Sequence, residues 1–496
     1  MGAVLASVTI ALPAGATLTN PANNTLIGSG SSTTYSMMQQ MDVLFNSAPP
    51  CAQFVAFPSA ETPQELDYSC ASPPTTSANL ENPFGDISVQ EPALGSSNGI
   101  AQLEDQGAHG ATATSGGVSI NVANNENFAR SSRAFSSSDL EGLNFVGYAA
   151  DGVSWFAYTK TAGGKNGKAT PASSISHLNL TTAQLQDIWN GTDKTWNEVG
   201  STSDAPIVVF AAQEGSGTQS TWKSFLGYDP SAPTNQVNCY TPKGGDTPSC
   251  VGPAVIFENE DAQIKPTAFV SSQAGFVKNN PGWGTTDKAT ANQIKSDAIF
   301  FFSIGKYNLS CSEAANGANC GGSPLGANIT NAVGEVNGVT PSESTILDLQ
   351  WPAPRYLYNV YSNGFNPNIP TATAATLNYV SEVGFICNPN KGSSTLAVDP
   401  LTGLTYVSEL QAVIKGAGFY PLSAAASSGG VNTTPFDEGS LPHSATALLS
   451  SGSGGKGTST EGYNDYAPYD TAVTTGSNHD PVGYCVTFDT DSNSGT

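Results

Sequence analysis

The segment LNLTTAQLQDIWNGTDKTWNEV (178–199) contains a complete helix pattern. Thr181 or Thr182 can cap its first turn, because a hydroxyl oxygen accepts a hydrogen bond from a free backbone N–H at that position. Gly191 can end the helix in a left-handed conformation. The large apolar side chains share one face, which is typical of packing against a core: Leu185, Ile188 and Trp189. We predict a short amphipathic helix over 181–190.

A strand-like run, PIVVFAA (206–212), follows this helix, and similar runs alternate with short helices from about residue 25 to 425. The alternation predicts an α/β protein whose ligands bind at the carboxyl ends of the strands. The length of 496 residues fits two or three domains. After Leu422 the composition changes to Ser, Gly and Thr, so we expect the core to end near 425.

The charge balance excludes one class of partner. Only 11% of the residues are charged, with 40 acidic and 17 basic side chains and a net charge of −23. Nucleic acid requires a basic stripe, which this chain does not have, so no nucleic-acid partner is expected. No apolar run approaches the roughly 18 residues of a membrane span, so none is expected.

The cysteines indicate an oxidising compartment. None of the eight is spaced as CxxC, so disulfides are favoured over zinc and over free thiols in a cytosolic protein. In chain order they form four couples: Cys51 with Cys70, Cys239 with Cys250, Cys311 with Cys320, and Cys387 with Cys485. We expect an extracytoplasmic protein, secreted, periplasmic or at the cell surface. The apolar start, 3–12, is either the remnant of an export signal or an edge strand.

Four loops have the composition of oxyanion-binding turns. Three open helix patterns with glycines and hydroxyls: IGSGSSTTY (27–35), GSSNGI (95–100) and EGSGTQSTW (214–222). Such a helix start directs N–H groups at an anion, although each loop alone is also an ordinary cap. The fourth loop is FARSSRAF (128–135), where Arg130 and Arg133 flank two serines. The chain has only one other arginine, Arg355, so its arginines suggest recognition of an anion rather than surface solvation.

The order of these segments resembles the PstS-type phosphate-binding proteins of ABC importers. The resemblance is carried by GSGSST, GSSNG, FARSS, DGVSWFAY, the segment 178–199, EGSGT, WPAPRYLYNVYS and AVIKGAGFYPL, and it covers roughly 25–425. It implies a type II periplasmic-binding-protein fold of two α/β lobes joined by two crossover strands, near 152–158 and 351–361. The implied division is lobe I from 20–155 and 356–425, lobe II from 156–355, and a Ser/Gly/Thr-rich C-terminal extension, 426–496, tied to lobe I if Cys485 pairs with Cys387.

The resemblance also implies a binding site. Carried over by motif position, the donors to phosphate oxygens are Ser32, Thr33, Ser96, Ser216, Gly217 and Thr218. The predicted phosphate-binding site also includes Ser97, Arg130, Ser132 and Arg133. Inorganic phosphate or a similar oxyanion would be the ligand and an ABC permease the partner, with no cofactor, metal or catalytic residue.

Two positions depart from the family pattern. Ser132 stands where a carboxylate usually accepts the proton of hydrogen phosphate, and Ala212 stands where an arginine usually lies. We expect Arg130 or Arg133, rather than Arg355, to supply the missing cation. Without the acidic acceptor, discrimination between phosphate and sulfate is expected to weaken.

Two other classes of function compete with this one. An enzyme is disfavoured because Ser216 lacks a GxSxG context and the four histidines form neither a triad nor a metal spacing. A secreted or surface structural protein, reusing the fold for self-assembly, fits the inserted cysteine loops and the polar tail. It does not explain the glycine and hydroxyl loops.

Overall fold

The computed structural model describes residues 25–46, 87–90, 95–105, 113–115, 118–120, 126–136, 138–159, 169–240, 249–256, 296–312, 331–347, 350–381, 384–387, 398–399, 402–422 and 485–489. Within these ranges the chain folds as a mixed α/β structure around one large sheet. The two strands at its centre, Leu143–Tyr158 and Pro354–Ser362, are buried along almost their whole length, so both of their faces are covered.

The large sheet has eight strands along its main path. In spatial order they are β11 (Ala254–Ile256), β8 (Val208–Ala212), β12 (Ala298–Ser303), β6 (Leu143–Tyr158), β15 (Pro354–Ser362), β5 (Phe128–Ser131), β1 (Thr25–Gly30) and β2 (Ile87–Gln90). The three strands at each end are parallel to one another, whereas β6 and β15 are antiparallel to their neighbours. Each parallel end forms the sheet of one α/β lobe.

β6 and β15 join the lobes. β6 pairs with β15 from Leu143 to Gly152 and with β12 from Val153 to Ala157, so it changes partner between Gly152 and Val153. A side chain at Gly152 would meet Ile304 and Ile346 at 2.8 and 2.9 Å, so this crossing is tightly packed. Two α/β lobes joined by two crossover strands are thus present, as the sequence predicted. The residue limits given above for each lobe stay a prediction.

Helices pack on both lobes. Lobe I carries α1 (Tyr35–Asn46), α2 (Ser96–Glu104), α7 (Ala374–Val380) and α8 (Tyr406–Gly416). Lobe II carries α3 (Thr182–Asn190), α4 (Gly217–Leu226), α5 (Ile304–Ser312) and α6 (Glu343–Leu347). The smaller strands are β3 (Ala113–Ser115), β4 (Val118–Ile120), β7 (Asn179–Leu180), β9 (Asn238–Tyr240), β10 (Ser249–Val251), β13 (Asn331–Val333), β14 (Glu335–Val336), β16 (Tyr420–Pro421) and β17 (Val486–Asp489). No helix of the described residues is long and apolar enough to cross a membrane.

The predicted helix is α3, and it begins and ends at the residues that the sequence indicated. Thr181 caps it in a capping box with Gln184, and Gly191 ends it at φ 81°. The buried face of α3 packs in the lobe II core, where the Trp189 ring lies edge-on to the Trp222 ring. This prediction is confirmed.

The C-terminal end of the chain returns to the sheet. β17 pairs antiparallel with Asn144–Gly147 of β6, and Cys485 beside it is bonded to Cys387 of lobe I. A second disulfide, Cys239–Cys250, joins β9 and β10. These two predicted pairings are therefore present. The couples Cys51–Cys70 and Cys311–Cys320 include cysteines outside the described residues and stay predictions.

Candidate anion-binding site

The four predicted loops meet at one place. β1, β5 and β8 each lead into one of them. β1 and β5 are parallel within lobe I and β8 belongs to the parallel set of lobe II, and the carboxyl ends of both sets face the crossing of β6 between Gly152 and Val153. Backbone hydrogen bonds connect the loops directly: Gly95 N donates to Gly30 O (2.9 Å) and Ser97 N to Gly215 O (3.1 Å). The second of these bonds runs from lobe I to lobe II, so the two lobes are in contact here.

Gly217 marks the centre of this meeting point. A Cβ added to Gly217 would lie 2.2 Å from Ser132 Oγ and 2.5 Å from Ser96 Oγ. Those two serines are bonded to each other, since Ser132 N donates to Ser96 Oγ (3.0 Å). Ser132 Oγ is also 3.4 Å from Thr33 Oγ1 and can donate to it. Glycine is therefore required at 217 for the loops to approach this closely.

Three helices begin at the same point: α1, α2 and α4. Ser216 caps α4, its hydroxyl accepting from Gln219 N (3.1 Å). A helix start carries a partial positive charge and free N–H groups, which favour an anion. Two buried hydroxyls beside α1, Ser31 Oγ and Ser32 Oγ, have no hydrogen-bond partner among the described residues. Because buried hydroxyls normally have a partner, these two are available to an oxyanion.

Arg355 reaches this cluster from the crossover strand β15. Its Nε and Nη2 donate to Asp151 Oδ2 at 3.0 and 2.7 Å, and both side chains are buried. Its Nη1 donates to Ser132 O (3.2 Å) and to Thr218 Oγ1 (2.9 Å). Arg355 therefore contacts a loop of each lobe at once.

Arg133 and Arg130 are held within lobe I. Arg133 forms a two-point pair with Asp139, at 2.8 and 2.7 Å, and its Nε donates to Ser97 Oγ (2.9 Å). The guanidinium of Arg133 thereby supports the second loop.

Arg130 is buried behind the first loop. Its Nη1 donates to Gly28 O (2.7 Å) and to Gln90 Oε1 (2.6 Å), and its guanidinium lies 5.3 Å from the centre of the Tyr35 ring. Burial lowers the pKa of Arg130. These contacts fasten the glycine turn of β1 to β2 and α1.

The structure brings most of the predicted site residues together. Those at the meeting point are Ser32, Thr33, Ser96, Ser132, Ser216, Gly217 and Thr218. Ser97 lies at the lobe contact and bonds Arg133, whereas Arg130 lies behind the first loop. The contacts favour Arg355 over Arg130 and Arg133 as the cation shared by the lobes.

Sequence reasoning missed the residue that holds Arg355. Asp151 lies in the buried strand β6, opposite Arg355 in the register of the β6–β15 pair. The sequence does mark Asp151 as unusual, because it is an acidic residue inside the apolar stretch YAADGVSWFAY (148–158). A charge in a buried strand requires a partner, which here comes from a strand 204 positions further along the chain.

One carboxyl group near the site has a shifted pKa. Burial raises the pKa of Glu104, the last residue of α2, from 4.5 to about 7, and nearby Asp139 adds to the rise. Its Oε1 accepts from Leu140 N (2.6 Å), which opposes the shift. Glu104 thus links the end of the helix that carries Ser96 to the turn that contains Asp139. In the described part of the chain, no group of three or more His, Cys, Asp or Glu side chains is placed to hold a metal.

Comparison with known proteins identifies the family. A family model described as "PBP superfamily domain" matches residues 15–316, more than half of the chain. The chain therefore belongs to this superfamily of periplasmic binding proteins, and the predicted type II α/β fold is confirmed. The family consists of binding proteins rather than enzymes. No protein of curated function matches the sequence significantly.

Several solved structures of phosphate-binding proteins match the chain at low identity. An ABC-type phosphate transport receptor from Vibrio cholerae is 16% identical, with a TM-score of 0.34 over 69% of this chain and 88% of its own. PstS from Borrelia burgdorferi is 15% identical, with a TM-score of 0.33 over 81% of this chain and 99% of its own. A phosphate-binding protein from Stenotrophomonas maltophilia is 14% identical, with a TM-score of 0.36 over 80% of this chain and 91% of its own. These scores lie below 0.5, so the family assignment rests on the sequence model.

Proposed function

We propose that this protein is an extracytoplasmic solute-binding protein that captures inorganic phosphate, or a related tetrahedral oxyanion, between its lobes for ABC-type import. An ABC permease would receive the ligand. The superfamily match and the two disulfides support the class and the compartment.

One observation carries the proposal. Three helix starts and the Ser132 loop converge from both lobes, and buried Ser31 and Ser32 hydroxyls there lack partners among the described residues. Hydroxyl and N–H donors in a water-excluded site can hold an anion without a free cation.

The two ion pairs at the site are nearly self-neutralising. Asp139 balances Arg133 and Asp151 balances Arg355, so binding would depend on hydrogen-bond donors more than on net charge. A hydrogen bond to a charged group contributes about 1.5–3 kcal/mol, and micromolar affinity requires about 8 kcal/mol. A handful of the donors described above is sufficient.

Calorimetric titration with phosphate and with sulfate tests the proposal. We expect at least one oxyanion to bind at micromolar concentration. The affinities for phosphate and sulfate should differ less than in a site that has an acidic proton acceptor. Absence of heat with both anions at millimolar concentration would remove the transport function and favour a structural role for the fold.

A glycine variant locates that binding. Gly217→Ala forces Ser96 and Ser132 apart, so we expect affinity to fall about ten- to hundredfold, the effect of 1–3 kcal/mol of overpacking. Gly416→Ala, at the end of α8 with no atom within 4 Å of the new methyl group, is the matched control. Equal affinities in the two variants would show that the ligand binds elsewhere.

A further inference from the structure

The orientation of Arg355 is fixed by an unusually complete set of contacts on its partner. Asp151 Oδ2 accepts from two nitrogens of Arg355 and from Ser303 Oγ (2.8 Å), and Asp151 Oδ1 accepts from Gly305 N (2.9 Å). These groups come from both crossover strands, from the end of β12 and from α5. The guanidinium therefore has little freedom to turn.

The remaining nitrogen of Arg355 bridges the lobes. Nη1 carries two hydrogens, and its two acceptors are Ser132 O of lobe I and Thr218 Oγ1 of lobe II. All three residues are buried. These two contacts direct the hydrogens of Nη1 at protein oxygens of opposite lobes.

The contact with Thr218 determines what its hydroxyl can do. A threonine hydroxyl has one hydrogen to donate, and Thr218 Oγ1 already accepts from a cation. Among the described residues this hydroxyl has no acceptor for its own hydrogen. Thr218 is the second residue of α4, where the backbone N–H also lacks an intrahelical partner. Its hydroxyl and its N–H are therefore both donors at the start of α4.

We propose that Arg355 is a positioning residue that bridges the two lobes and, by donating to Thr218 Oγ1, holds the Thr218 hydroxyl as a hydrogen-bond donor to the bound oxyanion. This inference rests on the proposed function. Arg355 acts through Thr218 and through the Ser132 carbonyl, and the anion contacts the hydroxyl. The arrangement depends on the lobes being in contact, because the two acceptors of Nη1 belong to different lobes.

Phosphate affinity in a double-mutant cycle tests the inference. The first change in the cycle is Thr218→Val. The other is the pair Arg355→Gln with Asp151→Asn, which removes both charges and so avoids a buried unpaired carboxylate. We expect each change alone to weaken phosphate binding about ten- to hundredfold, the effect of one hydrogen bond to a charged group. The protein that carries both changes should bind phosphate no more than about twofold more weakly than the weaker-binding of the two separate variants.

Two further variants complete the design. Thr218→Ser keeps the hydroxyl and should stay within about threefold of the parent, since no hydrogen bond is lost. Lys223→Gln removes a half-buried cation of α4 that is paired with Asp229 and lies outside the site, and should leave phosphate affinity unchanged. Thermal unfolding of every variant shows that it is folded.

The possible failures are distinct. If the parent protein binds neither phosphate nor sulfate, the proposed function itself is wrong. If the parent binds phosphate but the two losses multiply, Arg355 acts independently of Thr218 and the inference is overturned. Full affinity in the Arg355→Gln, Asp151→Asn variant would overturn it as well.

Discussion

Buried charges are the residue-scale feature that defines this site. Arg355 with Asp151 and Arg133 with Asp139 form ion pairs whose side chains are at most 8% exposed. Removing one member of such a pair typically costs about 3–5 kcal/mol, because the other charge remains buried and unpaired. The pairs therefore hold the loops in place and leave hydroxyl and N–H donors to meet the ligand.

Glu104 gives this cluster a pH dependence. Its pKa is about 7 in the folded protein and ordinarily 4.5, so the folded state binds more protons than the unfolded state between these values. The stabilisation is complete below about pH 4.5 and is lost as pH rises through about 7. The Arg133 cation opposes the shift, while Asp139 reinforces it.

Glu104→Gln should therefore become more stable relative to the parent as pH rises from 4.5 to 7, and the difference should then level off. Because this carboxyl is partly solvated, we expect a change on the order of 1 kcal/mol. Urea unfolding of both proteins across this range measures it. A difference in stability that does not change with pH would mean that Glu104 has an ordinary pKa.

At the scale of elements, the features that depend on residues close in sequence could be predicted, whereas the pairing of distant strands could not. The Thr181 cap, the Gly191 end and the strand before the third loop follow from residues near one another in sequence, and each is observed. The Arg355–Asp151 pair and the place of β17 depend on which strands lie beside β6, and sequence periodicity carries no information on that choice. Rarity singled out the three arginines, and nearness to Ser132 in the sequence ranked Arg130 and Arg133 above Arg355. The contacts that join the two lobes are made by Arg355, whose partner Asp151 lies on a strand far away in the sequence.

β17 covers one edge of β6 in lobe I, and the Cys387–Cys485 bond closes a loop of 98 residues. The Cys239–Cys250 bond closes a loop of only 11. Because a cross-link restricts the unfolded chain more when its loop is longer, loss of the first bond should cost more.

Replacing both members of each pair by alanine tests this ranking. We expect a loss of about 2–5 kcal/mol for Cys387 and Cys485 and a smaller loss for Cys239 and Cys250, measured by denaturant unfolding. The second pair serves as the control for removing a disulfide. An equal or inverted order would show that loop length does not determine the contribution of these two disulfides.

At the scale of the whole molecule, a net charge of −23 coexists with a proposed anion site. Surface charges are screened over about 8 Å at physiological salt, so most carboxylates have little influence on a buried cluster of donors. The acidic surface would slow the capture of an anion more than it would weaken its retention. Charge alone excluded nucleic acid, while the position of the ligand follows only from how the two lobes bring their loops together.

We propose that one oxyanion binds where the loops of both lobes meet. A crystal structure of the protein with saturating phosphate tests it most directly. We expect a tetrahedral anion with oxygens about 2.7–3.2 Å from the Thr218 hydroxyl and from donors of the Ser32 and Ser132 loops, with Arg355 still bonded to Asp151. Phosphate bound elsewhere, or loops that stay without an anion at saturating phosphate, would contradict it.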